Sequence, residues 1–374
     1  MLTGSLVAIV TPMQPGGALD LAGLRKLIDF HVANGTSAIV VVGTTGESPT
    51  VDVEEHCLLI ETTVKHAAGR IPVIAGTGGN ATSEAIELSA FAKKVGAVSG
   101  LSVVPYYNKP TQEGQYRHFK AIAEAVGDKP IILYNVPGRT AANLEPSTLV
   151  RLSEIPNIVG VKEASGNMTQ VAEVIASVPE HFLVFSGDDA VTLPVIALGG
   201  VGVVSVASNE IPREMSSLTH AALSGDWTAA RSLNRKYLPL MQANFIESSP
   251  LPVKAVLAMM GKLEEVYRLP LLPMRRDTRS KLQKVATEVG LITKPAAPSP
   301  DATEFFIYEN WVAGPHKIVV HRGTCGQCSH GKGRPAGHEN NHAKWHGPYA
   351  TLAEARETAH AMTNILIRSE CKCV

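Results

Sequence analysis

The sequence predicts an α/β protein built on a (β/α)8 TIM barrel, and three observations carry that reading. Eight short apolar runs alternate with helical patterns over about 220 residues. The runs are near-continuous and rich in β-branched residues, as expected of strands covered on both faces. The competing fold, a doubly wound open sheet, would show a glycine-rich phosphate turn after an early strand. "GTTGES" at 43–48 lacks the G-x-G-x-x-G spacing.

In chain order, "SLVAIVTP" opens the series, and Asp20 then caps a helix with Leu21, Leu24, Leu27 and Ile28 on one face. "SAIVVVG" and "IPVIAG" are the second and third strands. Before the fourth, "VSGLSVV", Ala85, Leu88, Ala92 and Val95 recur at i, i+3, i+7 and i+10, a helical face. "PIILYNV", "NIVGVK", "HFLVFSG" and "VGVVSV" complete the eight. Residues 1–224 are therefore assigned to the barrel and 225–293 to a helical extension packed on it. The proline-bearing stretch "ITKPAAPSPDATE" supplies a linker at 294–303, and 304–374 form a small Cys/His-rich domain.

With 374 residues the chain is long enough for a full core plus a second unit, since single cores stop growing near about 250–300 residues. Its 34 basic and 34 acidic residues cancel, leaving no global field to draw nucleic acid or an anionic membrane. The start, "MLTGSLVAIVTPM", lacks the basic and long apolar regions of a signal peptide. The apolar stretch at 195–207 is broken by glycines and falls short of the roughly 18 residues a membrane helix needs. Cys57 is the one cysteine before Cys325, so no disulfide framework is expected there. A cytoplasmic protein is the expectation.

In such barrels the chemistry gathers where strands end at their C-terminal face. Those ends bring Thr44 and Thr45, Tyr106 and Tyr107, Tyr134, Arg139, Lys162 and Ser205 toward one mouth. No His-x-x-x-His or clustered carboxylates accompany them, so a metal site in the barrel is not expected. The segment "GVKEASG" at 160–166 is the most informative. Strand alternation that turns Lys162 inward turns Gly160 and Ile158 with it, and sends Val161 and Glu163 outward. On this reading Gly160 leaves room beneath the amine, and Glu163 is kept from pairing with it. An ordinary lysine is a neutral nucleophile in only about one molecule in a thousand at neutral pH. Enclosure disfavours the charged form of an amine, which suits Schiff-base chemistry with a carbonyl substrate. Taken alone, such a lysine reads instead as a side chain reaching off the strand end into water or paired with an acid across the mouth. Tyr134 sits at the equivalent position of the adjacent strand, and a phenol there can move the protons that imine formation requires.

"GTTGES", "PYYNKP", "YNVPGRT" and "GVKEASG", in this order and spacing, resemble the dihydrodipicolinate synthase family over about residues 1–293. The resemblance implies a pyruvate-dependent class I aldolase-type lyase of lysine biosynthesis. It implies that Lys162 forms an imine with pyruvate, and that Tyr134, Thr45 and a Tyr107 donated by a neighbouring subunit relay protons. Thr44 and Thr45 would meet the pyruvate carboxylate, and the backbone at Val204 would line that pocket. Arg139 would receive the carboxylate of aspartate semialdehyde, for which its planar fork is suited. No cofactor is implied for catalysis, because the imine is the electron sink. A homo-oligomer, dimer or tetramer, is implied by the shared tyrosine. Ser48, His56, Asn80, Glu84 and Tyr106 match a site where some members bind lysine as feedback inhibitor, although Pro49 and Val53 depart from it. Two other readings stand beside this one. Sialic acid lyases and sugar-acid aldolases share the lysine and tyrosine but not the arginine pattern. A non-enzymatic binding or regulatory protein would use the tail for recognition.

The tail departs from the rest in composition, holding four of the five cysteines and seven of the thirteen histidines. "FFIYENW" and "HKIVVHRGTC" read as strands. "TLAEARETAHAM" reads as a helix, with a Thr351/Glu354 capping box and Leu352, Ala355, Ala359 and Met362 on one face. So small a fold often needs a staple, and Cys325, Cys328, Cys371 and Cys373 are suited to a structural zinc. The alternative is four unliganded thiols or an oxidisable pair. After Pro300 the eight basic and seven acidic residues nearly balance, which gives no support to nucleic-acid binding.

Overall fold

Each of the eight apolar runs contains a strand, and the strands close into a parallel barrel in sequence order, with β1 hydrogen-bonded to both β2 and β8. They are β1 (Gly4–Ala8), β2 (Ala38–Val41), β3 (Val73–Gly76), β4 (Ser99–Val103), β5 (Ile131–Asn135), β6 (Ile158–Glu163), β7 (Leu183–Ser186) and β8 (Gly202–Ser205). The structure is a computed structural model, and it describes residues 2–293, 304–310, 317–322, 343–362 and 369–370. The chain divides into two compact units, Met1–Thr293 and Lys294–Val374.

Helices α1 (Leu21–Ala33), α2 (Val53–Ala67), α3 (Thr82–Val95) and α4 (Gln112–Val126) surround the first half of the barrel. After β5 come α5 (Pro137–Thr140), a single turn, and α6 (Pro146–Ser153). They are followed by α7 (Met168–Ser177), α8 (Thr192–Ala197) and α9 (Pro212–Leu223). Asp20 caps α1 as its sequence position predicts, accepting from Gly23 N at 2.8 Å. Inside the barrel, Leu6, Ala8, Val40, Ile74, Leu101, Ile132, Tyr134, Phe185 and Val204 form one buried cluster. The outward residues of the strands pack instead on the helices, as Leu133 and Val161 do with Phe119 and Val174.

One detail of β6 corrects the sequence reading. Ile158 faces the helices, not the interior, and Val159 packs with the interior cluster. The cause is a register irregularity: Ile131 pairs with Ile158 but Ile132 with Gly160, leaving Val159 as an extra residue. Strict alternation therefore holds only from Gly160 onward. Gly160 has a different purpose from the one expected. A Cβ there would lie 2.4 Å from the Leu183 carbonyl oxygen, so its bareness lets β6 approach β7 and does not make space under the amine.

Beyond the barrel lie α10 (Trp227–Ala243), α11 (Leu251–Met259) and α12 (Arg276–Glu288). Ala230, Tyr237 and Leu240 of α10 pack on Ala221 and Ala222 of α9. Leu251, Ala255 and Val256 share a cluster with Leu282 and Ala286.

In the second unit, β9 (Phe305–Asn310), β10 (Lys317–Arg322), β11 (Ala343–Tyr349) and β12 (Ser369–Glu370) form a sheet in the order β11-β9-β10-β12. Helix α13 (Leu352–Ala361) covers one face through Ala355 and Ala359, packed on Phe305, Ile307, Ile318 and Val320. Thr351 caps it, accepting from Glu354 N at 3.1 Å, while the Glu354 carboxylate accepts from Ala350 N at 3.0 Å. Sequence reading passed over β11, because Gly347-Pro348 interrupts its run and a register shift follows His346. Linker residues 294–303 and Cys325, Cys328, Cys371 and Cys373 lie outside the described residues. Among the described residues no group of three or more His, Cys, Asp or Glu side chains is placed to hold a metal ion. No described helix is long and apolar enough to cross a membrane.

Candidate active site

Parallel register places Lys162 directly beside Tyr134 on one side and Phe185 on the other. Lys162 is 5% exposed and Tyr134 7%, and the amine lies 4.1 Å from the centre of the tyrosine ring. Tyr134 is itself part of the interior cluster, so the amine is enclosed in the barrel and does not reach off its rim. Glu163, the next residue, points the other way. Its carboxylate is buried and accepts from Asn135 Nδ2 at 3.3 and 3.1 Å and from Ser165 N at 2.8 Å. The expectation that Glu163 leaves the amine unpaired is met. Space for the lysine comes from Gly187, where a Cβ would sit 3.2 Å from Lys162 Cε and 2.6 Å from Ala164 Cβ.

Thr44 and Thr45 lie in the turn after β2, with Thr45 buried. The turn is closed by Gly46 N and Ser48 N donating to Gly43 O at 3.0 and 3.3 Å. Neither threonine caps a helix, since Asp52 caps α2 by accepting from Glu55 N at 2.8 Å. Val204 is buried in β8, in register with Leu6. Arg139 is exposed on α5 and donates to Ser249 O at 3.4 Å, which ties it to the residues just before α11. Tyr107 stands apart. It is 89% exposed and has φ of 73°, a left-handed conformation uncommon for a tyrosine.

Four of the five residues assigned by resemblance to a lysine site come together around the loops that follow β3 and β4. Asn80 Nδ2 donates to Tyr106 O at 3.2 Å, and Asn108 Nδ2 donates to Asn80 O at 2.8 Å. The Glu84 carboxylate acts on both His56 and Tyr106, and burial with that charge pushes the Tyr106 phenol up. His56 donates from Nε2 to Gly76 O at 2.7 Å, and burial lowers its pKa against the opposing pull of this carbonyl and of Glu84. Ser48 lies in the short turn that joins the Thr44–Thr45 segment to α2.

The sequence reading overlooked a buried ion pair behind the threonines. Lys254 of α11 lies 2.5 Å from the Glu47 carboxylate, both side chains wholly buried. The signal was present in "LPVKAVLAMM", a lysine inside an otherwise apolar helix, but its partner stands 207 residues away.

A parallel barrel with an enclosed lysine and tyrosine side by side at the C-terminal ends of β5 and β6 defines a lyase of the class I aldolase type. Sequence comparison carries the assignment further. The dihydrodipicolinate synthetase family matches this chain over residues 1–289, and the chain belongs to that family. It is 55% identical over 295 residues to the 4-hydroxy-tetrahydrodipicolinate synthase of Koribacter versatilis, covering 78% of this chain and 97% of the relative. Dihydrodipicolinate synthase from Aquifex aeolicus superposes with a TM-score of 0.76 at 50% identity, over 78% of this chain and all of the other. The Acinetobacter baumannii enzyme, solved in complex with pyruvate, gives 0.77 at 47% identity, again over 78% of this chain and all of the other.

Proposed function

We propose that the chain is a 4-hydroxy-tetrahydrodipicolinate synthase, condensing pyruvate with L-aspartate 4-semialdehyde in the diaminopimelate route to lysine. The observation that carries the proposal is the Lys162 amine, enclosed beside Tyr134 and free of any acid partner on its own strand.

The neutral Lys162 amine attacks the keto carbon of pyruvate. The keto oxygen collects two protons and leaves as water, giving an imine. The Tyr134 hydroxyl passes these protons, together with Thr45 and Tyr107 of a neighbouring copy. Thr44 and Thr45 hold the pyruvate carboxylate, and the Val204 backbone lines the same pocket. The imine nitrogen takes up a proton, and loss of a methyl proton then leaves an enamine, with the electron pair drawn toward that nitrogen. The enamine carbon bonds to the aldehyde carbon, and the aldehyde oxygen takes a proton to become a hydroxyl. The substrate's own amine then attacks the imine carbon, and the bond to Lys162 breaks. The ring closes, the lysine amine is restored, and one water has been released per turnover.

Arg139 receives the semialdehyde carboxylate at the entrance, where its exposure and its anchorage to Ser249 O suit a side chain that meets an arriving anion. The near-complete exposure of Tyr107 supports a homo-oligomer, dimer or tetramer, in which another copy takes up its ring. His56, Asn80, Glu84 and Tyr106, with Ser48 nearby, form the proposed site for feedback by lysine. Their carboxylate and backbone carbonyls suit an amine. The tail cysteines Cys325, Cys328, Cys371 and Cys373 are proposed to hold a structural zinc, checked by metal analysis of the full chain and its Cys325→Ser variant.

The test is turnover of the purified chain with both substrates. Arg139→Ala should raise KM for the semialdehyde by about 10- to 100-fold, the value of a charged hydrogen bond. Its capture of pyruvate should be unaffected. Condensation of pyruvate with a sugar aldehyde in place of the semialdehyde would assign the barrel to the other aldolases.

A further inference from the structure

The loop that presents Thr44 and Thr45 is held from behind by parts of the chain that lie beyond the barrel. Glu47 closes the same turn, its N–H donating to Thr44 O at 3.1 Å. Its backbone is left-handed, with φ of 58°, a conformation that a glutamate keeps only where its surroundings enforce it. Its backbone carbonyl accepts from Thr50 N at 2.9 Å, and its side chain is met by Lys254. The lysine amine meets Glu47 Oε1 at 2.5 Å and Val266 O at 2.5 Å, and lies 5.2 Å from the Tyr267 ring. Tyr267 is fixed in turn, donating to Leu251 O at 2.9 Å. Arg268 braces the far end of the loop, donating to Thr50 O at 2.8 Å and pairing with Glu55 at 2.5 and 2.7 Å.

We infer that the Glu47–Lys254 pair is a positioning device for pyruvate, through which α11 sets the orientation of the Thr44–Thr45 loop. Stability alone gives little reason for such a pair. Desolvating two charges consumes most of their attraction, and apolar residues of the same volume usually serve as well. A fixed ion pair does specify one geometry of the loop. The second carboxylate oxygen, Glu47 Oε2, is buried with no hydrogen-bond partner among the described residues. The acid is thus committed to Lys254 on one side only. Burial pushes the Lys254 amine down, and the Glu47 charge opposes that shift.

The inference rests on the assignment of Thr44 and Thr45 to the pyruvate carboxylate, and its test separates the two. Steady-state kinetics are measured on full-chain Glu47→Gln, Lys254→Met, the double variant and Thr45→Val, varying each substrate in turn. Pyruvate KM should rise about 10- to 100-fold in both single variants, as expected of a carboxylate site displaced by about an ångström. KM for the semialdehyde, held at Arg139, should not change. The double variant should keep a raised KM because its loop has lost the charged anchor. Folded single variants with unaltered pyruvate KM would overturn the inference and leave the pair a packing feature. If the single variants fail to fold, the double variant, with no buried charge left unpaired, decides on the same KM criterion. Pair variants with normal KM beside an impaired Thr45→Val refute the anchor alone. A normal KM in Thr45→Val refutes the carboxylate assignment and the anchor with it.

Discussion

Tyr134 and Lys162 are joined by strand register, so the spacing of the amine and the phenol is set by backbone hydrogen bonds. This makes the pair rigid, and it makes Tyr134 separable from binding. Tyr134→Phe keeps the ring against the amine and removes only the hydroxyl. It should lower kcat by about 10²- to 10⁴-fold, the usual worth of positioned proton transfer, with little change in pyruvate KM. Steady-state kinetics check this, and a kcat unchanged in the variant would remove Tyr134 from the relay. Both residues were legible in the sequence, because a polar residue at the end of an apolar run has few places to go in a barrel. Lys254 was not. Its helix showed that something polar had to meet it, but nothing local pointed to Glu47, and only the folded chain brings the two together.

Among the elements, the strands were legible because burial on both faces leaves a plain apolar signal, and the barrel then fixes their order. The fine register of β6 was not legible, since the extra residue Val159 follows from how β5 and β6 pair and leaves no mark in composition. That irregularity shifts the face of Ile158 without disturbing Lys162, which lies beyond it. In the loop after β7 one glycine borders the amine itself. At Gly187 a methyl group would collide with Ala164 Cβ at 2.6 Å and crowd Lys162 Cε at 3.2 Å. Gly187→Ala should therefore destabilise the barrel by about 1–3 kcal/mol through overpacking. It should also slow imine formation by displacing the amine. Chemical denaturation and the rate of pyruvate capture measure the two effects separately. A variant with normal capture would show that the amine does not depend on this gap.

At the level of the whole molecule, buried acids shape how the barrel responds to pH. Glu210 is wholly buried and accepts from Asn244 Nδ2 at 2.8 Å. Burial, helped by the nearby Asp189 charge, holds its carboxyl well above the usual carboxylate range. A group whose folded pKa is raised contributes its stability in full below the unfolded value, and loses it as pH rises through the folded value. Glu210→Gln carries no such proton. Its stability relative to the unmodified chain should improve by up to about 1.4 kcal/mol per pH unit across that window. Unfolding midpoints across the pH range test this, and a gap that stays flat would contradict it. The measurement nearest to the central claim is borohydride reduction of the full chain in the presence of pyruvate, followed by mass analysis of its peptides. The account predicts a reduced pyruvate adduct on the peptide bearing Lys162, absent without pyruvate and absent from Lys162→Ala. An unmodified Lys162 peptide, or an adduct on another lysine, would contradict it.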